Sequence, residues 1–221
     1  MATIREINLN IPVLATSNPV EEAVVESIKE LMGTESFYKS EYIVPDTETE
    51  DLAIDVLVSD REDELIVLST FGAGSLATKG KINIDNQGEV EYRTEFYALA
   101  NNSSDSIILG EVIAKLAFIV SKNDEAFFPG MVIAGVSPTG HESLTHTLIA
   151  PMPIGVREDI RVAPVSADAE FAICWVNAIP VTQEEADLIS AGPEGFKQFE
   201  EFLAAMGDNA YSLSRPTYIQ E

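Results

Sequence analysis

Residues 171–189 read FAICWVNAIPVTQEEADLI and place a strongly apolar segment directly before a helix signal. The apolar part ends at Pro180 and is rich in β-branched and aromatic residues, which predicts a buried β-strand. Thr182 and Glu185 have the spacing of a capping box, in which each side chain accepts a hydrogen bond from the other residue's backbone N–H. A buried strand that runs into a capped helix indicates a fold in which helices pack on a sheet.

Further strands are predicted upstream, where short runs of β-branched and aromatic residues are bounded by turn signals. The four clearest of them are residues 37–44, 52–58, 64–71 and 89–100. Shorter extended runs are expected after the turn at Pro129 and Gly130 and again over 146–156, where prolines limit the pairing. The stretch from Pro151 to Gly155 is expected to be an edge connection, with a contact surface as the alternative.

Helical periodicity appears in three regions of the chain. The first begins at Asn18 and Pro19 and ends at Gly33, and the second covers 104–121 after a capping cluster, NNSSDS. The third begins at Thr182 and continues with an apolar stripe, formed by Phe196, Phe199, Phe202 and Leu203. Neither a repeat nor a linker divides the sequence, so residues 1–221 are predicted to form a single α+β domain.

The predicted fold is a mixed, largely antiparallel sheet of about six or more strands, packed by about three helices. Apolar residues on the inner faces of these elements should form its core. The residues expected to be buried are Ile66, Leu68, Phe96, Ile113, Leu116, Phe171, Ile173, Trp175, Phe199 and Leu203.

Charge is the strongest compositional signal, because 37 acidic and 13 basic residues give a formal net charge of −24. A field of this sign repels nucleic acids and anionic membranes and attracts basic proteins. Solubility, or an acidic proteome, explains the same composition equally well. Arg5 and Glu6 interrupt the start of the chain where a secretory signal needs apolar residues, and no apolar run approaches bilayer length, so a cytoplasmic protein is expected.

Motifs for catalysis or cofactor binding lack their required contexts. GAGSLA, residues 72–77, matches a dinucleotide fingerprint formally, but polar, turn-rich sequence follows it where a helix is needed. His141 and His146 are five residues apart in a loop-like segment, which does not place both rings on one helical face. Cys174 lies among large apolar neighbours, where a thiolate is disfavoured. No catalytic residue, cofactor or metal ligand is therefore predicted, although the many carboxylates leave an unidentified enzyme as the alternative.

Two motifs stand in a fixed order with the predicted elements from Glu64 to the C-terminus. A turn of the T-x-G-x-S type contains Thr70, Gly72 and, one place late, Ser75, and Glu95 lies on the following long strand. A helix and a Pro-Gly turn come next. The last strand then enters a P-x-[ST]-x-E-E segment, formed by Pro180, Thr182, Glu184 and Glu185.

This ordered set resembles the Suppressor of fused family over residues 64–221, which is most of the chain. The resemblance implies an α+β domain that binds other proteins and performs no chemistry. Animal members sequester a transcription factor between two lobes, and this chain is similar to the N-terminal lobe only, so no binding residue is transferred from them. Bacterial relatives made of this lobe alone resemble immunity proteins that neutralise a toxin by direct binding.

The acidic composition fits such a role, because many toxins are basic nucleases. The expected partner is another protein, with a basic toxin as the candidate, and the sequence leaves the oligomeric state open. Acidic residues are densest over 46–64. The candidate partner-binding residues are Glu48, Glu50, Asp51, Asp60, Glu62 and Asp63, with two solvated loops around a strand as the alternative interpretation.

Overall fold

The computed structural model describes the backbone of residues 5–9, 25–29, 37–45, 51–59, 65–84, 88–151, 163–164 and 171–218. The strands are β1 (Arg5–Leu9), β2 (Phe37–Val44), β3 (Leu52–Ser59), β4 (Ile66–Phe71), β5 (Lys81–Ile84), β6 (Gly88–Ala100), β7 (Val132–Ala134), β8 (His146–Ala150), β9 (Ala163–Pro164) and β10 (Phe171–Val181). The helices are α1 (residues 25–29), α2 (Ser103–Asn123), α3 (Gln183–Ser190) and α4 (Pro193–Met206), and short 3-10 turns cover Ala73–Ser75 and Gly207–Tyr211.

One mixed sheet organises the described chain. Its main path runs in the order β1-β2-β3-β4-β6-β10-β8-β7, with β5 pairing along β6 and β9 along β10. Strands β6 and β10 pair in parallel, with Phe171 opposite Glu91 and Asn177 opposite Tyr97, and every other described pair is antiparallel. The predicted α+β fold with a mixed, largely antiparallel sheet is confirmed.

Helix α2 covers one face of the sheet. The Asn102 side chain caps it by accepting a hydrogen bond from the Asp105 N–H at 2.8 Å. A Cβ at Gly110 would lie 2.0 Å from Tyr42 Oη, so glycine allows the helix to approach β2 closely. The buried residues on this side include Val56, Leu68, Phe96, Ala98, Leu109, Ile113, Leu116, Phe127, Val176 and Ala178.

The opposite face has two apolar clusters. Near its centre, Tyr97, Leu99, Ile173 and Trp175 pack with Ile28 of α1, among others. At the β8 end, strand and helix side chains meet in a second cluster, which contains Leu148, Ala150, Ile179, Val181, Ala186, Ile189 and Phe199. Helices α3 and α4 therefore lie on the face that α2 does not cover.

Most predicted core residues are buried, namely Leu68, Phe96, Ile113, Leu116, Ile173, Trp175 and Phe199. Three predicted core residues are only half-buried. Ile66 and Phe171 are the first residues of their strands, and the Arg93 guanidinium covers the Phe171 ring at 3.8 Å from its centroid. Leu203 packs at the edge of the cluster that contains Leu148 and Ile179, and it also lines a cavity beneath α4.

The element predictions differ from the structure in two places. Strand β5 lies in a segment that is predicted to be turn-rich from its polar residues. These residues alternate along a strand that forms a hairpin with β6, in which Ile84 pairs with Gly88. The last helical region divides into two helices at Ala191 and Gly192. Only residues 25–29 of the first predicted helix are described, and they are helical. Within the described ranges, no helix has the length and apolar content needed to cross a bilayer.

Candidate functional site

The carboxylate of Glu95 is fully buried in the gap between β4 and β5 along one edge of β6. It accepts hydrogen bonds from Thr70 Oγ1 at 2.5 Å, from the Gly74 N–H at 2.8 Å and from the Gly72 N–H at 3.0 Å. Gly72 has φ of +104°, a left-handed conformation that glycine adopts readily. Burial raises the pKa of the Glu95 carboxyl to about 7, and the hydroxyl and amide donors oppose this rise.

This arrangement explains why the GAGSLA segment, residues 72–77, formally matches a phosphate-binding fingerprint. Successive backbone N–H groups form an anion-binding concavity, which a phosphate can occupy in nucleotide-binding proteins. In this protein the anion is the chain's own carboxylate, and the residues that follow Gly72 form a short 3-10 turn instead of a long helix. The Thr70, Gly72 and Glu95 pattern therefore fastens the loop after β4 to β6.

A buried ion pair fastens the C-terminal segment. Arg215 donates from its two terminal nitrogens to the two carboxylate oxygens of Glu185, at 2.6 and 2.8 Å. The Thr182 and Tyr218 N–H groups donate to the same carboxylate, and the predicted capping box is confirmed. Burial opposes ionisation of Glu185, but Arg215 and the amide donors outweigh it and hold the pKa of this carboxyl below its usual value.

A cavity of about 330 Å³ lies between α4 and the β8–β10 part of the sheet. Its walls are mainly apolar, and Asn177, Glu200, Asp208 and Tyr211 add polar groups to them. The apolar lining residues are Leu148, Ala150, Pro151, Ile179, Phe196, Phe199, Leu203 and Ala204. A volume of this size is at the lower end of the range, roughly 300–1,000 Å³, in which proteins hold ligands.

A second cavity, of about 340 Å³, shares Pro151 and Phe196 with the first. Its lining includes Pro129, Gly130, Ile189 and Pro193. We refer to these two neighbouring cavities together as the α4 groove. Pro151 belongs to the stretch for which a contact surface was the alternative prediction, and the remainder of that stretch, residues 152–155, lies outside the described residues.

Charge around the α4 groove is negative. Most described lysines and arginines already pair with a carboxylate of the same chain, namely Lys29, Lys39, Lys79, Lys81, Arg93, Lys115, Lys197 and Arg215. Several exposed acids of α3, α4 and the following turn have no Lys or Arg within ion-pair distance in the described part of the chain: Glu184, Asp187, Glu194, Glu200 and Asp208. Partial burial raises the pKa of the Glu200 carboxyl, which lines the groove.

The six predicted partner-binding acids flank β3. Asp51 is exposed, and the other five, Glu48, Glu50, Asp60, Glu62 and Asp63, lie outside the described residues. Three of these acids precede β3 in the sequence, and the other three follow it. Strand β3 has eight residues between the groups, which separates its ends by roughly 23 Å.

The remaining chemical candidates are not brought together. Cys174 is buried, and burial raises the pKa of its thiol to about 12, with a hydrogen bond to Tyr92 opposing the rise. His146 begins β8, whereas His141 lies in the preceding turn. Among the described residues, no group of three or more His, Cys, Asp or Glu side chains has a metal-binding arrangement.

The mixed sheet, with helices packed on both of its faces, defines an α+β domain. A family model described as Suppressor of fused protein (SUFU) matches residues 50–216, so the chain belongs to the Suppressor of fused family. Domains of this family generally serve as protein-interaction modules.

Solved structures agree with this assignment. A Suppressor of fused homologue from Neisseria gonorrhoeae has a TM-score of 0.59 at 14% identity, over 91% of this chain and 98% of that one. Drosophila Suppressor of fused has a TM-score of 0.54 at 9% identity, over 90% of this chain and 51% of that one. At these identities the likeness shows a shared fold. No curated protein matches the chain in sequence.

Proposed function

We propose that this chain acts as a single cytoplasmic domain, without catalysis, that captures a basic protein through the α4 groove. We further propose that the partner is a toxin, which binding neutralises. The observation that carries the proposal is the combination of an apolar groove with exposed acids that no described Lys or Arg neutralises. Such a surface repels nucleic acid and attracts a partner that brings apolar anchors and positive charge.

The six acids that flank β3 are part of the chain's net charge of −24. Exposed charges act over about 8 Å at physiological ionic strength, so they guide the approach of a partner without contacting it. We propose that this cluster, Glu48, Glu50, Asp51, Asp60, Glu62 and Asp63, steers association. Affinity would then depend on the groove, where apolar side chains become buried on contact.

The alternative, an enzyme that uses carboxylates, has Glu95 as its best candidate, because burial shifts the pKa of this carboxyl to about 7. Enclosure argues against such a role. The side chain has no solvent exposure, and the Thr70 hydroxyl and the Gly72 and Gly74 amides occupy its oxygens. A substrate would have to displace these donors to reach the carboxylate.

The product of the gene immediately upstream provides the test. We expect it to be a basic protein that is toxic when expressed alone and harmless when co-expressed with this chain. Its association rate constant should fall steeply between about 50 and 500 mM salt, because steering is screened. The combined variant Glu194→Gln, Glu200→Gln and Asp208→Asn should bind it more slowly. A non-toxic product, or toxicity that co-expression leaves unchanged, would contradict the proposal.

A further inference from the structure

The two oxygens of the buried Glu95 carboxylate have different partners. Oε1 accepts hydrogen bonds from the Gly72 N–H at 3.0 Å and from the Gly74 N–H at 2.8 Å, whereas Oε2 accepts one from Thr70 Oγ1 at 2.5 Å. A backbone N–H can only donate, but a hydroxyl has one donor and two acceptor lone pairs. A proton taken up by this carboxyl group therefore belongs on Oε2, where the Thr70 oxygen can accept it in a hydrogen bond.

The Thr70 hydroxyl has a second set of partners on β6. Its oxygen accepts from the Phe96 N–H at 2.9 Å, and it lies 3.3 Å from the Phe96 carbonyl oxygen, to which it can donate. When Glu95 is ionised, the hydroxyl hydrogen points to Glu95 Oε2. When Oε2 is protonated, it donates to Thr70 Oγ1, and the hydroxyl hydrogen turns to the Phe96 carbonyl oxygen. Both states keep these buried groups hydrogen-bonded, which avoids the cost of an unsatisfied group.

The Glu95 carboxylate receives its hydrogen bonds from a hydroxyl and backbone amides and not from a charged group of the described chain. On the neighbouring strands, Arg93 pairs with Glu91 at 2.9 Å, and Asp55 pairs with Lys39 at 2.8 Å. Burial and neutral donors therefore set the proton equilibrium of Glu95, and its pKa of about 7 populates both states near neutral pH. The other titratable side chains of β5, β6, β10 and α2 are Lys81, Glu89, Tyr92, Tyr97, Asp105, Glu111, Lys115, Lys122 and Cys174.

We propose that Glu95 and Thr70 form a two-state proton clasp, in which the Thr70 hydroxyl reverses its hydrogen bond when Glu95 Oε2 takes up a proton from solvent. The turn at residues 72–75 stays fastened to β6 in both states, because Oε1 keeps its two amide donors. The core depends on this turn. A Cβ at Gly74 would lie 2.9 Å from Ile173 Cδ1, so the turn packs directly against β10. The clasp belongs to the fold and is independent of the proposed partner.

Carbon-13 NMR of the full chain, between about pH 5 and 9, tests the reversal. The Glu95 carboxyl carbon reports the proton, and the Phe96 carbonyl carbon reports the hydroxyl, because a carbonyl resonance moves to lower field when it accepts a further hydrogen bond. We expect both signals to titrate with one midpoint, with Phe96 at lower field in the acidic state. Nuclear Overhauser contacts between Gly74 Hα and the Ile173 side chain should persist throughout. Loss of these contacts on protonation, or a Phe96 signal that does not titrate, would overturn the proposal.

A matched pair of variants separates the hydroxyl from the carboxyl group. Thr70→Val keeps the shape of the side chain and removes the hydroxyl, whereas Thr70→Ser keeps the hydroxyl. The Phe96 shift should persist in Thr70→Ser and lose most of its amplitude in Thr70→Val, although Glu95 still titrates in both. Equal Phe96 shifts in the two variants would show that this carbonyl senses the Glu95 charge directly, and would overturn the reversal.

Two glutamine variants on β6 complete the test and do not depend on whether Thr70→Val folds. Glu95→Gln places an amide NH2 that can donate to Thr70 at every pH, so the Phe96 signal should stay at its acidic position throughout. Glu91→Gln changes a carboxylate that accepts from the Thr78 N–H, and should leave the Phe96 titration intact. A Phe96 signal that titrates in Glu95→Gln, or that stays at its alkaline position, would overturn the proposal.

Discussion

Beneath α2 the sheet is covered by close packing, whereas beneath α4 a cavity separates helix from sheet. On the α2 side, Phe96, Ile113 and Leu116 are fully enclosed, and Gly110 brings the helix against Tyr42. On the α4 side, Phe199 is the one fully enclosed aromatic residue of the described helix, and Leu203 is half-buried. The two helices therefore contribute differently, because α2 closes its side of the core and α4 leaves a cavity against the sheet.

Polar interactions differ between the two sides in the same way. The C-terminal segment after α4 is held by the Glu185–Arg215 pair, which is buried and bidentate. Three side-chain atoms on the α4 side of the sheet remain without a partner in the described chain. On the side where we propose that the partner binds, a buried ion pair therefore holds the C-terminal segment beside an open cavity. Each prediction below tests this difference, beginning with the largest expected effect.

Arg215→Met should lower the free energy of unfolding by about 3–5 kcal/mol at pH 7, because it leaves the Glu185 carboxylate buried without its cation. The folded-state pKa of Glu185 is lowered, so its ionised form contributes stability above the unfolded pKa of about 4.5, and that contribution is lost as pH falls through the folded pKa. Urea denaturation at pH 7 and pH 3.5 checks this. An equal loss at both pH values would show that packing, and not charge, dominates at Arg215.

A matched leucine pair tests the packing itself. Leu116→Ala on α2 should cost about 3 kcal/mol, because the change leaves a void in a closed core. Leu203→Ala on α4 should cost about 1 kcal/mol, because Leu203 already faces an open cavity. Helix propensity changes equally in both variants, so denaturation midpoints compare the two sites directly. Equal losses would remove the distinction between the two helices.

The Glu95 site is expected to make stability depend on pH. Its folded-state pKa of about 7 exceeds the unfolded value of about 4.5, so the folded chain holds the proton more tightly. Wild-type stability should therefore fall relative to Glu95→Gln as pH rises from 5 to 7.5, by about 1–3 kcal/mol. Gln keeps a carbonyl that can accept from Gly72 and Gly74. Parallel pH profiles for the two proteins would contradict the assigned pKa.

Local signals in the sequence predict much of this fold. Strand β2 has the predicted bounds 37–44, and the Thr182–Glu185 capping box is present, because both depend on residues close together in the chain. Thr70, Gly72 and Glu95 formed part of the family resemblance, and the structure brings all three into contact. Periodicity and capping depend on few neighbours, which is why sequence patterns report them well.

The candidate site was harder to predict. Arg215 and Glu185 are 30 residues apart, and no spacing rule connects them before the chain folds. The stripe on α4 predicts burial of Leu203, but whether a helix lies flat on a sheet depends on side chains from β8 and β10. In the sequence, Asn177 has no feature that distinguishes it from other polar residues of a strand. A cavity is a property of packing between distant elements, so the local pattern contains no signal for it.

A titration followed by ¹H–¹⁵N NMR tests the central claim, that the α4 side of the sheet binds and the α2 side does not. The probe is the peptide Ac-Lys-Trp-Lys-Lys-NH2, which combines the basic charge of the proposed partner with one apolar aromatic side chain. We expect shifts concentrated on the amides of residues 193–211 and on the Asn177 side chain, with the amides of α2 unchanged. Shifts confined to α2 or to the acids that flank β3, or no shifts at all, would contradict the account.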